Sequence, residues 1–255
     1  MISLSMIFKT DQGKIRQQNE DNGGVFKNKN GDYLAIVADG MGGHNAGEVA
    51  SRMAVSALLD VWSKVEEPFT PEKAENWFLS NVKEVNQQIY RHSLEVEECS
   101  GMGTTIVAAI CTDLFATVVN IGDSRCYILN ESGFSQLTED HSLLNELIKT
   151  GQISREDAEQ HPRKNILLKA LGTEEHVEMD VRTITFEEEN KLLLCSDGLS
   201  NKVTVEEMAQ VLESDRSLDE KATTLINRAN QKGGEDNITL AIIEYESDES
   251  GCEEC

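Results

Sequence analysis

The chain has 255 residues, room for one large domain or two small ones, and 39% of them are apolar, enough to build a core. Its 23 Lys and Arg stand against 46 Asp and Glu, a net charge of −23; setting aside the six acids of the last twelve residues (Glu244, Glu246, Asp248, Glu249, Glu253, Glu254) still leaves −17. A body this anionic repels phosphate backbones and anionic lipid, which argues against nucleic acid or a membrane surface as a partner. Residues 2–9 alternate Ile2, Leu4, Met6 and Phe8 against Ser3, Ser5 and Lys9. They read as a first strand, not a secretory leader, because no basic start or cleavage site accompanies them. Strands over 24–28 and 33–38 follow. A long helix begins at about Ala46, where Val49, Met53, Ala57 and Val61 form one apolar row and Ala50, Ala54, Leu58 and Trp62 the next. A second helix starts with Thr70 as N-cap and Pro71 in its first turn, and Phe78, Val82, Val85, Ile89 and Val96 keep one face apolar.

After Gly101 the period switches to strands over 104–111, 114–121, 125–130 and 133–137, with short turns that suit antiparallel pairing. Residues 141–165 are polar, contain Gly151 and Pro162, and read as two short helices, the second opened by Ser154 and Asp157. Strands resume at 178–186 and 191–196. Helices then start at the capping boxes Thr204–Glu207 and Ser217–Glu220, and a last strand spans 237–245. The expectation is one α+β domain over 1–245 with antiparallel sheets and outer helices, followed by an acidic disordered tail, 246–255. No apolar run nears the ~20 residues that span a bilayer, and Cys99, Cys111, Cys126 and Cys195 sit singly among apolar neighbours as reduced thiols do. The expected location is the cytoplasm, without membrane insertion. Cys252 and Cys255 read as part of a flexible tail.

Several acids stand just beyond apolar strands and beside glycine. Asp39 follows Leu34-Ala35-Ile36-Val37-Ala38 and opens Asp39-Gly40-Met41-Gly42-Gly43; Asp123 follows Val118-Val119-Asn120-Ile121-Gly122. Asp197 ends Leu192-Leu193-Leu194-Cys195-Ser196, Asp236 precedes the last strand, and Glu20 and Asp21 precede the second. Each alone reads as a turn. Together, at one edge of a sheet, they would repel one another unless multivalent cations neutralised them. Oxygen donors without a His or Cys pattern suit Mg²⁺ or Mn²⁺ over Zn²⁺.

Arg16-x-x-Asn19-Glu20-Asp21-Asn22, Asp39-Gly40-Met41-Gly42-Gly43, Gly103-Thr104-Thr105, Gly122-Asp123-Ser124-Arg125, Ser196-Asp197-Gly198 and Asp236-Asn237 occur in one order from Arg16 to Asn237. In these motifs the chain resembles the bacterial PP2C-type metal-dependent Ser/Thr protein phosphatases. Glu139-Asp140-His141-Ser142, Ser154-Arg155-Glu156-Asp157-Ala158 and His161-Pro162-Arg163-Lys164-Asn165 resemble the Gram-positive subgroup that opposes a membrane Ser/Thr kinase.

The resemblance implies an antiparallel β-sandwich flanked by helices in four α-β-β-α layers. It implies that Asp39 bridges two Mn²⁺ or Mg²⁺ ions, one also held by Glu20 and the Gly40 carbonyl, the other by Asp197 and Asp236. Asp123, with Asp197, would hold a weaker third ion. Asp21 would orient water, Arg16 would grip phosphate through its guanidinium fork, and a water between the metals would attack phosphorus in line. Eukaryotic members have histidine where this chain has Met41, so the leaving-group acid is left between a metal-bound water and His44. The implied partners are phosphorylated proteins, among them a membrane Ser/Thr kinase and its substrates, acted on by a monomer. The 141–165 segment would be a substrate-selecting flap.

Other chemistries fail on the residues. A cysteine phosphatase needs Arg six positions after its thiol, where this chain has Thr105, Thr117, Ser132 and Asn201. No Gly-Lys-Ser/Thr follows the glycines of 40–47, which excludes a P-loop. Two alternatives are a phosphatase dedicated to an anti-sigma-type partner and a non-catalytic phosphoprotein binder. The first usually carries a sensor domain, and the second loses its metal acids.

Overall fold

Period-2 alternation closes the chain into two antiparallel sheets, which the computed structural model describes over residues 3–43, 45–154, 157, 161, 163 and 166–246. One sheet runs β1 (Ser3–Asp11), β11 (Ile238–Glu246), β10 (Lys191–Cys195), β7 (Arg125–Asn130) and β8 (Gly133–Gln136) in that spatial order. The other runs β2 (Asp21–Lys27), β3 (Tyr33–Met41), β5 (Ile106–Cys111), β6 (Phe115–Ile121) and β9 (Asp180–Thr185), with β4 (Gly103–Thr104) paired to the end of β3. Strand β3 shows why they stack. Ala35 and Val37 face the opposite sheet, where Leu192, Leu194, Ala241 and Ile243 meet them, while Leu34, Ile36 and Ala38 face the helices.

Helices α1 (Ala46–Trp62) and α2 (Pro71–Glu95) cover the outer face of the second sheet; α5 (Val205–Leu212) and α6 (Leu218–Gln231) cover that of the first. The result is the α-β-β-α sandwich. Thr70 Oγ1 accepts the Lys73 N–H at 3.3 Å, and both expected capping boxes form at Thr204 and Ser217. Trp62, fully buried, donates from Nε1 to the Phe26 carbonyl at 2.9 Å and stacks on Phe69, locking α1 onto β2. Two short helices, α3 (Leu143–Lys149) and α4 (Asp197–Ser200), lie in the loops. Among the described residues no helix is long and apolar enough to cross a membrane, and the four cysteines of the body are free and buried.

The departures from expectation gather near one edge. Strand β2 begins at Asp21, not residue 24, because β3 runs on to Met41 and pairs Asp21 with Asp39 and Asn22 with Ala38. The single strand expected over 104–111 is broken at Thr105 into β4 and β5. Thr105 turns both backbone and hydroxyl to Asp39: its N–H donates to the Asp39 carbonyl at 2.8 Å, and its Oγ1 accepts the Asp39 N–H at 3.0 Å. Helix α4 has four residues, too short to show a period. Of the two helices expected in 141–165, α3 forms, capped by Ser142. The second falls largely outside the described residues, although the Asp157 N–H does donate to Ser154 Oγ at 3.1 Å. His44, Arg155, Cys252 and Cys255 also lie outside the described residues.

Candidate active site

The starts of β2 and β11 and the ends of β3, β6 and β10 meet at one edge of the sandwich, and each brings an acid. Glu20 enters β2, Asp39 and Gly40 end β3, Asp123 follows β6, Asp197 opens α4 directly after β10, and Asp236 precedes β11. They line a cavity of about 270 Å³ with Arg16, Met41 and Leu167. Of the residues given a metal, phosphate or water role from sequence, all but Asp21 are in its wall. Asp21 is buried behind it, directly opposite Asp39 in the ladder, where its Oδ2 accepts from the Ser196 hydroxyl at 2.8 Å.

Glycine permits the close packing. A Cβ on Gly40 would lie 2.1 Å from the Gly47 carbonyl oxygen and 2.6 Å from that of Glu20, and one on Gly198 would lie 1.9 Å from the Asn237 carbonyl oxygen. Polar side chains fix the rest. Buried Asn237 accepts the Glu20 N–H at 2.8 Å and donates to the carbonyls of Gln12 and Gln18, both at 2.9 Å. Ser51 Oγ donates to the Glu20 carbonyl at 2.6 Å. Thr105 Oγ1 and Ser124 Oγ lie 2.7 Å apart behind Asp39. His141 Nδ1 accepts the Gly122 N–H at 3.2 Å, and the His141 N–H donates to the Gly122 carbonyl at 2.9 Å, bracing the turn that carries Asp123. Asn237 and His141 stood in quoted motifs, but their positioning roles depend on partners far along the chain.

Five carboxylates face one guanidinium among the lining residues. Burial first, and then the neighbouring acids, push the Asp39 carboxyl well above the usual range. Asp21 and Asp123 are pushed up to about 7, for burial first in both cases. Burial also raises Glu20 and Asp197, the latter with help from Asp236. Arg16 donates to Asp236 Oδ2 at 2.8 Å, and Asn201 Nδ2 donates to Asp197 Oδ2 at 3.0 Å. Glu20 Oε1 and Asp197 Oδ1 are buried without a hydrogen-bond partner. Two orphaned anionic oxygens in an all-oxygen donor set fit a hard divalent cation. Among the described residues no three His, Cys, Asp or Glu side chains are gathered closely enough to hold an ion by themselves.

The family model for protein phosphatase 2C matches residues 13–240. The chain belongs to the protein phosphatase 2C family. It is 51% identical over 244 residues to the serine/threonine phosphatase stp of Listeria monocytogenes serotype 4b, covering 96% of this chain and 97% of that one. The crystal structure of serine/threonine phosphatase Stp1 from Staphylococcus aureus superposes with a TM-score of 0.91 at 37% identity, over 96% of each chain. The catalytic domain of the serine threonine protein phosphatase PstP, solved in complex with two manganese ions, superposes with a TM-score of 0.84 at 30% identity, over 97% of this chain and all of that one. Family, relatives and fold make this chain a PP2C-type Ser/Thr phosphatase.

Proposed function

We propose that the chain hydrolyses phosphoserine and phosphothreonine in proteins at the acid-lined cavity, using divalent cations, Mn²⁺ or Mg²⁺, held by its carboxylates. The observation that carries this is the pair of buried, unpartnered oxygens Glu20 Oε1 and Asp197 Oδ1 among raised carboxylates. Glu20, Asp39 and the Gly40 carbonyl would hold one ion, Asp39, Asp197 and Asp236 a second, and Asp123 with Asp197 a weaker third. When bound, these ions supply an activated water and the positive charge that in-line phosphoryl transfer requires. The chain's own residues do the rest. Arg16, the one base among the described residues that line the cavity, binds and orients the phosphoryl oxygens. Asp21, whose Oδ2 accepts a hydrogen bond from the Ser196 hydroxyl, orients water from behind Asp39. Met41 and Leu167 contribute apolar surface to the wall.

The domain spans 1–245, with 141–165 as a flap that touches the phosphoprotein around its phosphorylated residue. The acidic tail is 246–255. The substrates are cytoplasmic phosphoproteins, including a membrane Ser/Thr kinase and its targets, and the enzyme acts as a monomer. Mn²⁺ binding followed by electron paramagnetic resonance tests the ligand set. Wild type is expected to bind at least two ions and Asp39→Asn to lose both strong sites; equal binding by the two proteins would overturn the assignment.

A further inference from the structure

Asp180 belongs to none of the acid-bearing motifs. It opens β9, the last strand of its sheet, and its side chain is half exposed. Yet its Oδ2 lies 3.2 Å from Nε2 of the largely buried His141 ring. The far side of the ring decides which of the two donates. His141 Nδ1 accepts the Gly122 N–H at 3.2 Å, so it carries no proton. The proton of the neutral imidazole therefore sits on Nε2 and is donated to the Asp180 carboxylate. A carboxylate, an imidazole and a backbone N–H stand in line.

Gly122 is where that line ends, and its φ of +110° lies in the region that favours glycine. His141 meets both polar groups of its backbone. The ring takes the N–H, and the His141 N–H donates to the carbonyl at 2.9 Å, joined there by Asn120 Nδ2 at 3.4 Å. Asp123 follows directly. The segment that presents His141 is itself pinned: Asp140 accepts from Arg125 Nε at 2.9 Å and Nη2 at 2.6 Å, and the His141 carbonyl accepts the Leu168 N–H at 2.8 Å. Three other acids of the cavity are held from elsewhere. Asn237 holds the Glu20 backbone, Thr105 that of Asp39, and Asn201 the Asp197 carboxylate. Asp123 is the acid whose turn leans on His141.

We propose that Asp180 and His141 act as a pair that positions Asp123 for the weaker third ion. Asp180 orients the imidazole, the imidazole fixes Gly122, and the turn aims the Asp123 carboxylate. Neither His141 nor Asp180 lines the acid cavity, so both are positioning residues. This role rests on the reading of Asp123 as a ligand of the third ion.

Mn²⁺ titration of the full chain, followed by electron paramagnetic resonance, separates strong from weak ions. His141→Phe keeps a ring but removes the acceptor for the Gly122 N–H. It is expected to weaken the third ion by about tenfold or more and to leave the two strong ions within about twofold of wild type. His141→Asn places an amide oxygen where the ring has Nδ1 and is expected to recover most of that loss. Asp180→Ala is expected to weaken the third ion by about threefold, and Asp180→Asn, whose amide oxygen still accepts from Nε2, by less. Nitrogen-15 NMR of the His141 ring reads the pair directly: bare Nδ1 and protonated Nε2 in wild type and Asp180→Asn, with the Nε2 signal displaced in Asp180→Ala. If circular dichroism shows His141→Phe unfolded, the Asp180 variants, at an exposed site, decide. A third ion indifferent to Asp180→Ala, equal weakening of all three ions, or a protonated Nδ1 in wild type would each overturn the proposal. A wild type that binds no Mn²⁺ would instead overturn the ligand reading, and this role with it.

Discussion

The Arg16 guanidinium donates to Asp236 Oδ2 at 2.8 Å, and both residues line the acid-rich cavity. The proposed phosphate grip and a proposed metal ligand thus hold each other in this structure. Both side chains are more than a third exposed, so the pair is worth about 0–1 kcal/mol after screening.

Arg16→Ala is therefore expected to raise KM for a phosphothreonine peptide by about tenfold or more, with a smaller fall in kcat, because phosphate gripping is largely ground-state binding. Mn²⁺ affinity should stay level or tighten by up to about fivefold, as Asp236 loses a competitor. Steady-state kinetics and a Mn²⁺ titration check both. An unchanged KM with reduced kcat would contradict the assigned role.

Asp197→Asn and Asp236→Asn separate catalysis from folding. Each is expected to lower kcat by about 10²-fold or more with the circular dichroism spectrum intact. In chelator, Asp197→Asn should melt slightly higher than wild type, since it removes a charge from a set of buried, mutually repelling acids. With excess Mn²⁺ the order should reverse, as wild type gains binding energy that the variant lacks. Melting curves in the two buffers decide it.

The pattern of alternation and caps made most of the fold legible: the strand order in the chain, both long helices, and the capping boxes at Thr204 and Ser217 all rest on local signals. The acids of the candidate site were legible because each stands at the end or start of a strand, with Asp39, Asp123 and Asp197 directly beside glycine. What local patterns did not carry is what depends on partners distant in the chain. Asp21-Asn22-Gly23-Gly24 has little strand propensity and becomes β2 only because the extended β3 offers it a ladder. Thr105 breaks its strand to serve Asp39, 66 residues away, and Asn237 ties Glu20 to the Gln12 and Gln18 carbonyls across more than 200 residues.

Asn237→Ala tests that tie. It leaves the Glu20 N–H and two carbonyls without their partner, and an unsatisfied buried group costs about 1–3 kcal/mol. A loss of about 3 kcal/mol in urea unfolding is expected, together with weaker Mn²⁺ binding, since Glu20 loses its anchor. Reduced stability with unaltered Mn²⁺ affinity would confine Asn237 to a structural role.

The 141–165 segment is tested by reversing the charges of Lys149 and Arg155 together. Lys149 pairs with Glu139 at 2.6 Å at the base of the segment. The double variant is expected to change kcat/KM on a phosphoprotein while leaving hydrolysis of a small aryl phosphate nearly unchanged, because a flap touches the protein and not the phosphate. Equal losses on both substrates, or none on either, would show that the segment does not select substrates.

The central claim is that the acids of the cavity work through divalent cations, and turnover of a phosphothreonine peptide with and without chelator tests it most directly. Activity is expected in Mn²⁺, loss in excess EDTA, and return when Mn²⁺ is restored. Undiminished hydrolysis in excess EDTA would contradict it.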